Sequence, residues 1–377
     1  MNAALTLALV AAALAALLGG LAWLGRFLAW PPELRRKAAH ITLGLGCAPF
    51  PWLFASPVPV WILAGLAAAG LGLLRLRVAR ASTLGSALHD VKRRSWGELV
   101  FPLAVALVFH ASAGHWELYL PPLLVLALAD AAGALVGRRF GRHPLRMEGA
   151  QHKSLEGCAA VFLVATLCVA LPLALFAGWA WPLALAAALL VAGLAALVEG
   201  VAIEGLDNLF LPLLAYAVLA RAEAWGSSGI LSRLAALVLI VVTLAGLRRH
   251  LSALTDTALM GLALALYLFA SLGGTDWLLS PLALATLYVA LHLRAKDDAT
   301  RHHPLAAVVA CAAAPLAWLA LAPAHAEIPG KVALGTQAVL MLLAEQGLLT
   351  HRDPDLRWLL NALIGAAVSV LAYLAFA

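Results

Sequence analysis

Residues 130–157 read DAAGALVGRRFGRHPLRMEGAQHKSLEG, and they interrupt a chain that is otherwise apolar. The run LVLALA precedes them and CAAVFLVATLCVALPLALF follows. Between these flanks stand one Asp (Asp130), clustered glycines, four arginines (Arg138, Arg139, Arg142, Arg146), then Lys153-Ser154 and Glu156-Gly157. A membrane protein does not gather an acid, small residues and cations at one face without a partner for them. A phosphorylated ligand with a metal ion meets all three demands. Function is expected to centre here.

The flanks set the fold class. Hydrophobic residues make up 64% of the 377, charged residues 12%, and mean hydropathy is +0.96. Soluble domains carry about 25% charged residues, so a soluble fold is excluded. Apolar stretches of about 17–24 residues recur, the length of membrane helices rather than of alternating barrel strands. The expectation is an all-α, polytopic membrane bundle of about 14 helices. They are placed near 3–25, 39–55, 58–75, 98–113, 118–137, 157–177, 180–200, 208–221, 229–247, 253–272, 277–293, 304–322, 331–348 and 357–376. The first is read as retained, since no basic region leads it. The eighth is short and holds Pro212, which predicts a kink there. Cys47, Cys158, Cys168 and Cys311 show no paired spacing and read as small buried hydrophobes.

Charge orients the bundle. With the N-terminus outside, the inner loops collect 22 of the 25 Lys and Arg residues, leaving Arg221, Arg233 and Lys331 outside. That agrees with the positive-inside rule. It brings His40, Glu98, Asp130, Lys153, Ser154, Glu156, Glu199, Glu204, Asp207 and Asn208 to the cytoplasmic face, in what reads as a bacterial inner membrane.

Four clusters follow in order. Glu33-Leu-Arg-Arg36-Lys37-Ala-Ala-His40 opens the second span after Pro31-Pro32. Arg35 and Lys37 fit an anchor for anionic head groups, whereas His40 already lies inside the apolar run. Lys92-Arg-Arg-Ser-Trp-Gly-Glu98 enters the fourth span as an ordinary interfacial stop, with Glu98 kept as a candidate acid. Asp130, Gly133 and Gly137 share one helical face, and a lone carboxylate inside a span is expensive. It reads as a Mg²⁺ ligand, or else as half of a structural pair with an arginine. Lys153-Ser154 at a helix start makes an anion site without the glycine spacing of a P-loop. Finally, Glu199, Glu204 and Asp207-Asn208 place three acids in nine residues that hold no Lys or Arg. Asp207 also suits a helix N-cap. Two acidic sites facing a basic loop describe a metal-nucleotide pocket.

In this order the clusters resemble the membrane family of phytol and dolichol (polyprenol) kinases. Its pattern is matched by Arg36-Lys37-Ala-Ala-His40, Asp130 with Gly137 and Gly141, Lys153-Ser-Leu-Glu156-Gly157, and Glu199 with Asp207-Asn208. Gly133 stands where the family often has alanine. The Lys-Ser box is also similar to that of phosphatidate cytidylyltransferases, which use CTP. The resemblance covers about residues 30–222. It implies a kinase that moves the γ-phosphoryl group of CTP to a long isoprenoid alcohol, with Asp130, Asp207 and Glu199 on Mg²⁺. It further implies Lys153 and Ser154 on the phosphates, with Gly137, Gly141, Gly157, Asn208, Arg138, Arg139, Arg142 and Arg36 around the nucleotide. Glu156 or His40 would handle the hydroxyl, a choice the sequence leaves open.

Two other readings are weighed. A cytidylyltransferase is expected to show a His-Gly-Gly and an Asp-Arg-x-Asp box, and residues 199–208 hold neither. A lipid transporter is expected to scatter polar residues through the midplane and to repeat its halves. The domain reading is a first helix over 1–30, a catalytic membrane domain over 31–225 and a six-helix extension over 226–377. In that extension Asp256 and Asp276-Trp277 stand isolated. Expected partners are the alcohol, a nucleoside triphosphate and membrane lipids, with no nucleic acid and the oligomeric state open.

Overall fold

A computed structural model describes residues 3–75, 96–147, 153–202, 205–251, 254–279, 281–282, 305–345 and 354–376. Among them the architecture is all-α, apart from one isolated antiparallel bridge between Pro144 and Ser154. The chain forms two compact units, Met1–Pro144 with Lys153–Leu234, and Leu145–His152 with Ala235–Ala377. Most of the second cluster (Lys92–Arg94), Glu204, most of the span expected at 277–293 and Arg301–His303 lie outside the described residues.

The first unit runs α1 (Ala3–Phe27), α2 (Pro32–Cys47), a short α3 (Phe50–Leu53), α4 (Val58–Arg75), α5 (Gly97–Ser112) and α6 (Trp116–Leu124). A π-turn (Val125–Ala129) then leads into α7 (Asp130–Phe140), followed by α8 (Leu155–Leu175), α9 (Trp181–Val201) and α10 (Asp207–Leu247). Pro32 opens α2, where its missing N–H costs nothing. Ser154 caps α8, its Oγ accepting from Gly157 N at 3.2 Å. On α8 the exposed Leu163, Leu167, Leu171 and Leu175 form one stripe, while Val161, Ala165, Cys168 and Val169 are buried. An apolar stripe turned outward is what a lipid-facing helix presents.

Small residues set the closest packing. A Cβ on Gly133 would lie 2.5 Å from Val161 Cγ2, and one on Gly157 3.0 Å from Gly133 O, so α7 and α8 meet backbone to backbone. A Cβ on Gly44 would lie 2.3 Å from Ala127 Cβ, which holds α2 against the π-turn. Beneath these contacts Tyr119 Oη donates to Cys47 O at 3.0 Å inside a cluster with Phe50, Phe101 and Phe109.

Seven described helices are long and apolar enough to cross a membrane, and three shorter apolar helices accompany them. The protein is an integral membrane protein. The expected eighth and ninth spans lie along α10 and are separated within it by a break that falls between them. Its break is not at Pro212, as the sequence suggested, but at Gly226 (φ 60°). A proline deep in an apolar helix can be accommodated, whereas a positive φ demands glycine.

The second unit contains α11 (Asp256–Gly273), α12 (Leu305–Leu321), α13 (Glu327–Glu345) and α14 (Pro354–Phe376). Trp277 stacks on Phe269 with centroids 6.1 Å apart and packs against Gly273 and Gly330. Asp256 is not isolated. Its Oδ2 accepts from Arg146 N at 2.9 Å, its Oδ1 accepts from Arg248 Nη2 at 2.8 Å, and its own N–H donates to Arg146 O at 3.0 Å.

Candidate active site

The first, third and fourth clusters reach the site from helix ends or the turns next to them. Asp130 follows directly on the π-turn, its N–H donating to Val125 O. Widened turns of this kind recur at functional sites because they re-aim side chains and carbonyls. Here the carbonyl of Leu126 accepts from His40 Nε2 at 2.8 Å. A carbonyl only accepts, so Nε2 carries a proton, and in the neutral imidazole the lone pair is then on Nδ1. His40 Nε2 also lies 3.3 Å from Asp130 Oδ2, and Lys37 Nζ lies 2.7 Å from that same oxygen. All three side chains are buried.

A second acid–lysine group adjoins the first. Lys153 Nζ sits 3.2 Å from Glu199 Oε1 and 3.5 Å from Asp207 Oδ2, and it also donates to the backbone carbonyl of Glu199. Burial opposes the charge on Lys153, but Glu199 and then Asp207 outweigh it and hold the ammonium above its usual range. Glu199 ends α9 and Asp207 starts α10, with Gly205 (φ 87°) making the turn between them. The positive φ is why that loop needs a glycine.

The carboxylates of Asp130, Glu199 and Asp207 offer oxygens that all lie within 4.8 Å of one another. Glu199 Oε2 is buried and has no hydrogen-bond partner among the described residues. Three hard oxygen donors, one of them unsatisfied, fit a divalent cation of the Mg²⁺ type. Counted alone, three carboxylates face two lysines, an excess of one negative charge. A metal carrying a polyphosphate suits that balance, because the phosphates can take over the lysines.

The other expected residues are distributed around this centre. Asn208 is buried beside Asp207, with Nδ2 donating to Gly97 O at 2.9 Å and Oδ1 buried without a partner. Arg36 pairs with Glu33 at 2.6 Å. Gly137 and Gly157 face each other across the α7–α8 contact, where Cβ atoms would crowd backbone. Ser154 Oγ is engaged in its cap. Glu156 Oε1 lies 2.7 Å from His143 Nδ1, so it is not among the residues gathered at the carboxylates. Gly141, Arg138, Arg139 and Arg142 are exposed at the end of α7 and just beyond.

Lys37 is the residue the sequence reading passed over. It was taken as a head-group anchor with Arg35, yet it is 3% exposed and bonded to Asp130. Its signal was available: Lys37 and His40 are three apart, hence on one helical face.

A polytopic helical bundle that gathers three carboxylates, two lysines and a histidine beside an apolar cleft, with Asp130, Glu199, Lys37 and His40 buried, belongs to the class of membrane enzymes acting on lipid-borne groups. Comparison with known proteins narrows the class. The chain is 32% identical over 194 residues to a phytol kinase of Synechocystis sp., an alignment covering 48% of this chain and 76% of that protein. The chain belongs to the phytol kinase family and is a kinase, a phosphotransferase with an alcohol acceptor. The family relationship implies a prenyl-type alcohol and a nucleotide phosphoryl donor. No family model matches, and no solved structure matches.

Proposed function

We propose that the protein transfers the γ-phosphoryl group of CTP, with Mg²⁺, to the hydroxyl of a long isoprenoid alcohol of the phytol or polyprenol type. The reaction takes place at the cytoplasmic face of a bacterial inner membrane. The observation that carries this reading is the convergence of Asp130, Glu199 and Asp207 within 4.8 Å, faced by Lys37 and Lys153. Phosphoryl transfer asks for positioning and charge neutralisation more than for covalent chemistry, and this cluster supplies both. Residues 31–225 form the catalytic part, with 1–30 as the first helix and 226–377 as an extension.

Asp130, Glu199 and Asp207 would hold Mg²⁺, which supplies neutralisation of the phosphate oxygens and a template for in-line geometry. Lys37 and Lys153, which pair with those carboxylates here, would turn their ammonium groups to the phosphates. Ser154 stays in its cap, its Oγ accepting from Gly157 N at the start of α8. Arg138, Arg139 and Arg142, exposed at the end of α7, receive the outer part of the triphosphate. His40 takes the proton of the alcohol on Nδ1, because Nε2–H is committed to Leu126 O and Asp130. Glu156, tied to His143, is the lesser choice.

The test uses purified protein in detergent with Mg²⁺, γ-labelled CTP, and phytol, geranylgeraniol, dolichol and diacylglycerol as acceptors. Label on an isoprenoid alcohol is expected, with CTP preferred over UTP and ATP. CDP-lipid formed from α-labelled CTP and phosphatidate, with no labelled alcohol, would move the protein to the cytidylyltransferase chemistry instead.

A further inference from the structure

An apolar cleft of about 110 Å³ opens beside the charged centre and runs along α2, walled by α1, α4 and α5. Its mouth carries Arg36, His40 and Asn208; its far end is closed by Phe50 and Val60, both 1% exposed. Ala64 lies on the wall between. From His40 to Cys47, the end of α2, the chain advances about 10 Å at helical rise, roughly a third of a hydrocarbon core. At the mouth stands an unsatisfied acceptor. Asn208 is 3% exposed, and its Oδ1 is buried with no partner among the described residues. Its amide orientation is fixed, because Nδ2 must be the atom that donates to Gly97 O.

We infer that this cleft is the acceptor site. On binding, the hydroxyl of the isoprenoid alcohol donates to Asn208 Oδ1, and rotation about its C–O bond turns the O–H to His40 Nδ1 for the transfer step, while the first part of its tail lies along α2 down to Phe50 and Val60. The occupant follows from the chemistry of the two ends. An apolar slot suits a hydrocarbon tail, and the buried amide oxygen of Asn208 suits one hydroxyl donor, whereas a carboxylate or phosphate head would be repelled by that oxygen and by the Glu98 carboxylate that also lines the cleft. The far end bounds the slot: it takes the head-proximal part of the tail and sends the rest of a long prenol out toward lipid. This inference rests on the kinase reading and names the place where its acceptor binds.

Three variants and one probe test it. Ala64→Trp fills the slot, so kcat/KM for phytol should fall about 100-fold, the equivalent of a few buried methylenes, with geraniol changed less than about threefold. Val60→Ala, which only enlarges the far end, should raise the relative rate on longer prenols. Asn208→Ala should raise KM for the alcohol about tenfold and leave KM for the nucleotide unchanged. A prenyl alcohol bearing a terminal diazirine should label the peptides around Phe50 and Val60, and Ala64→Trp should abolish that labelling. Equal losses on phytol and geraniol, or labelling elsewhere in a protein that still phosphorylates phytol, would overturn the slot alone. Labelling of the slot in a protein that phosphorylates no alcohol would overturn the kinase reading and leave the slot standing.

Discussion

Lys37 Nζ lies 2.7 Å from Asp130 Oδ2, and the two residues come from helices 93 positions apart in the chain. Both are 3% exposed. Removing one partner of a buried pair strands the other charge and costs about 3–5 kcal/mol. Asp130→Asn should therefore abolish phosphorylation, and Lys37→Met should lower thermal stability in detergent comparably. The double variant should regain most of that stability and none of the activity. A Lys37→Met protein with unchanged melting temperature and turnover would remove Lys37 from the site.

The acidic cluster makes a separate demand on metal. EDTA should silence the enzyme and Mg²⁺ restore it. Glu199→Gln and Asp207→Asn should each raise the Mg²⁺ concentration for half-maximal rate by at least about tenfold, while Glu156→Gln, remote from the cluster, should leave it in place. The readout is a Mg²⁺ titration at saturating nucleotide.

Gly44 tests the seat of α2. A methyl group there would sit 2.3 Å from Ala127 Cβ and would push the helix bearing Lys37 and His40 off the π-turn. Gly44→Ala is expected to cost about 1–3 kcal/mol as overpacking. It should also lower kcat, because His40 loses its reach to Leu126 O. Gly46→Ala on the same helix meets only the ends of leucine side chains on α1 and should leave kcat alone.

Asp256 offers a proteolytic test inside the second unit. It holds the backbone of Arg146 from both sides, and the carbonyl of the Arg146–Met147 bond accepts from Asp256 N at 3.0 Å. Trypsin must release that carbonyl to cut after Arg146. Asp256→Ala should accelerate that cut about tenfold or more, in line with the loss of charge-assisted hydrogen bonds. Equal cleavage of both proteins would show that the clamp does not hold in solution.

Much of this was legible in the sequence, for reasons that name the remainder. Apolar runs marked the helices because lipid permits little else. Asp130, Lys153, Glu199 and Asp207 stood out because charge is costly there. Lys37 was hidden by its neighbours, since a cation beside Arg35 and Arg36 reads as an anchor. Asp256 looked isolated because Arg146 lies 110 residues away. The π-turn before Asp130 has no composition of its own, and it was found only where Leu126 turns its carbonyl to His40. Glycines expected around a nucleotide, Gly137 and Gly157, turned out to be where two helices touch.

The bridge between Pro144 and Ser154, with Leu155 N donating to His143 O at 3.0 Å, closes the chain into a neck around Lys153. A closed neck fixes the separation of its two stems, one continuing from α7 and the other leading into α8. Lys153 sits one residue inside it, so the reach of its ammonium to Glu199 and Asp207 is set by a backbone closure as well as by the side chain.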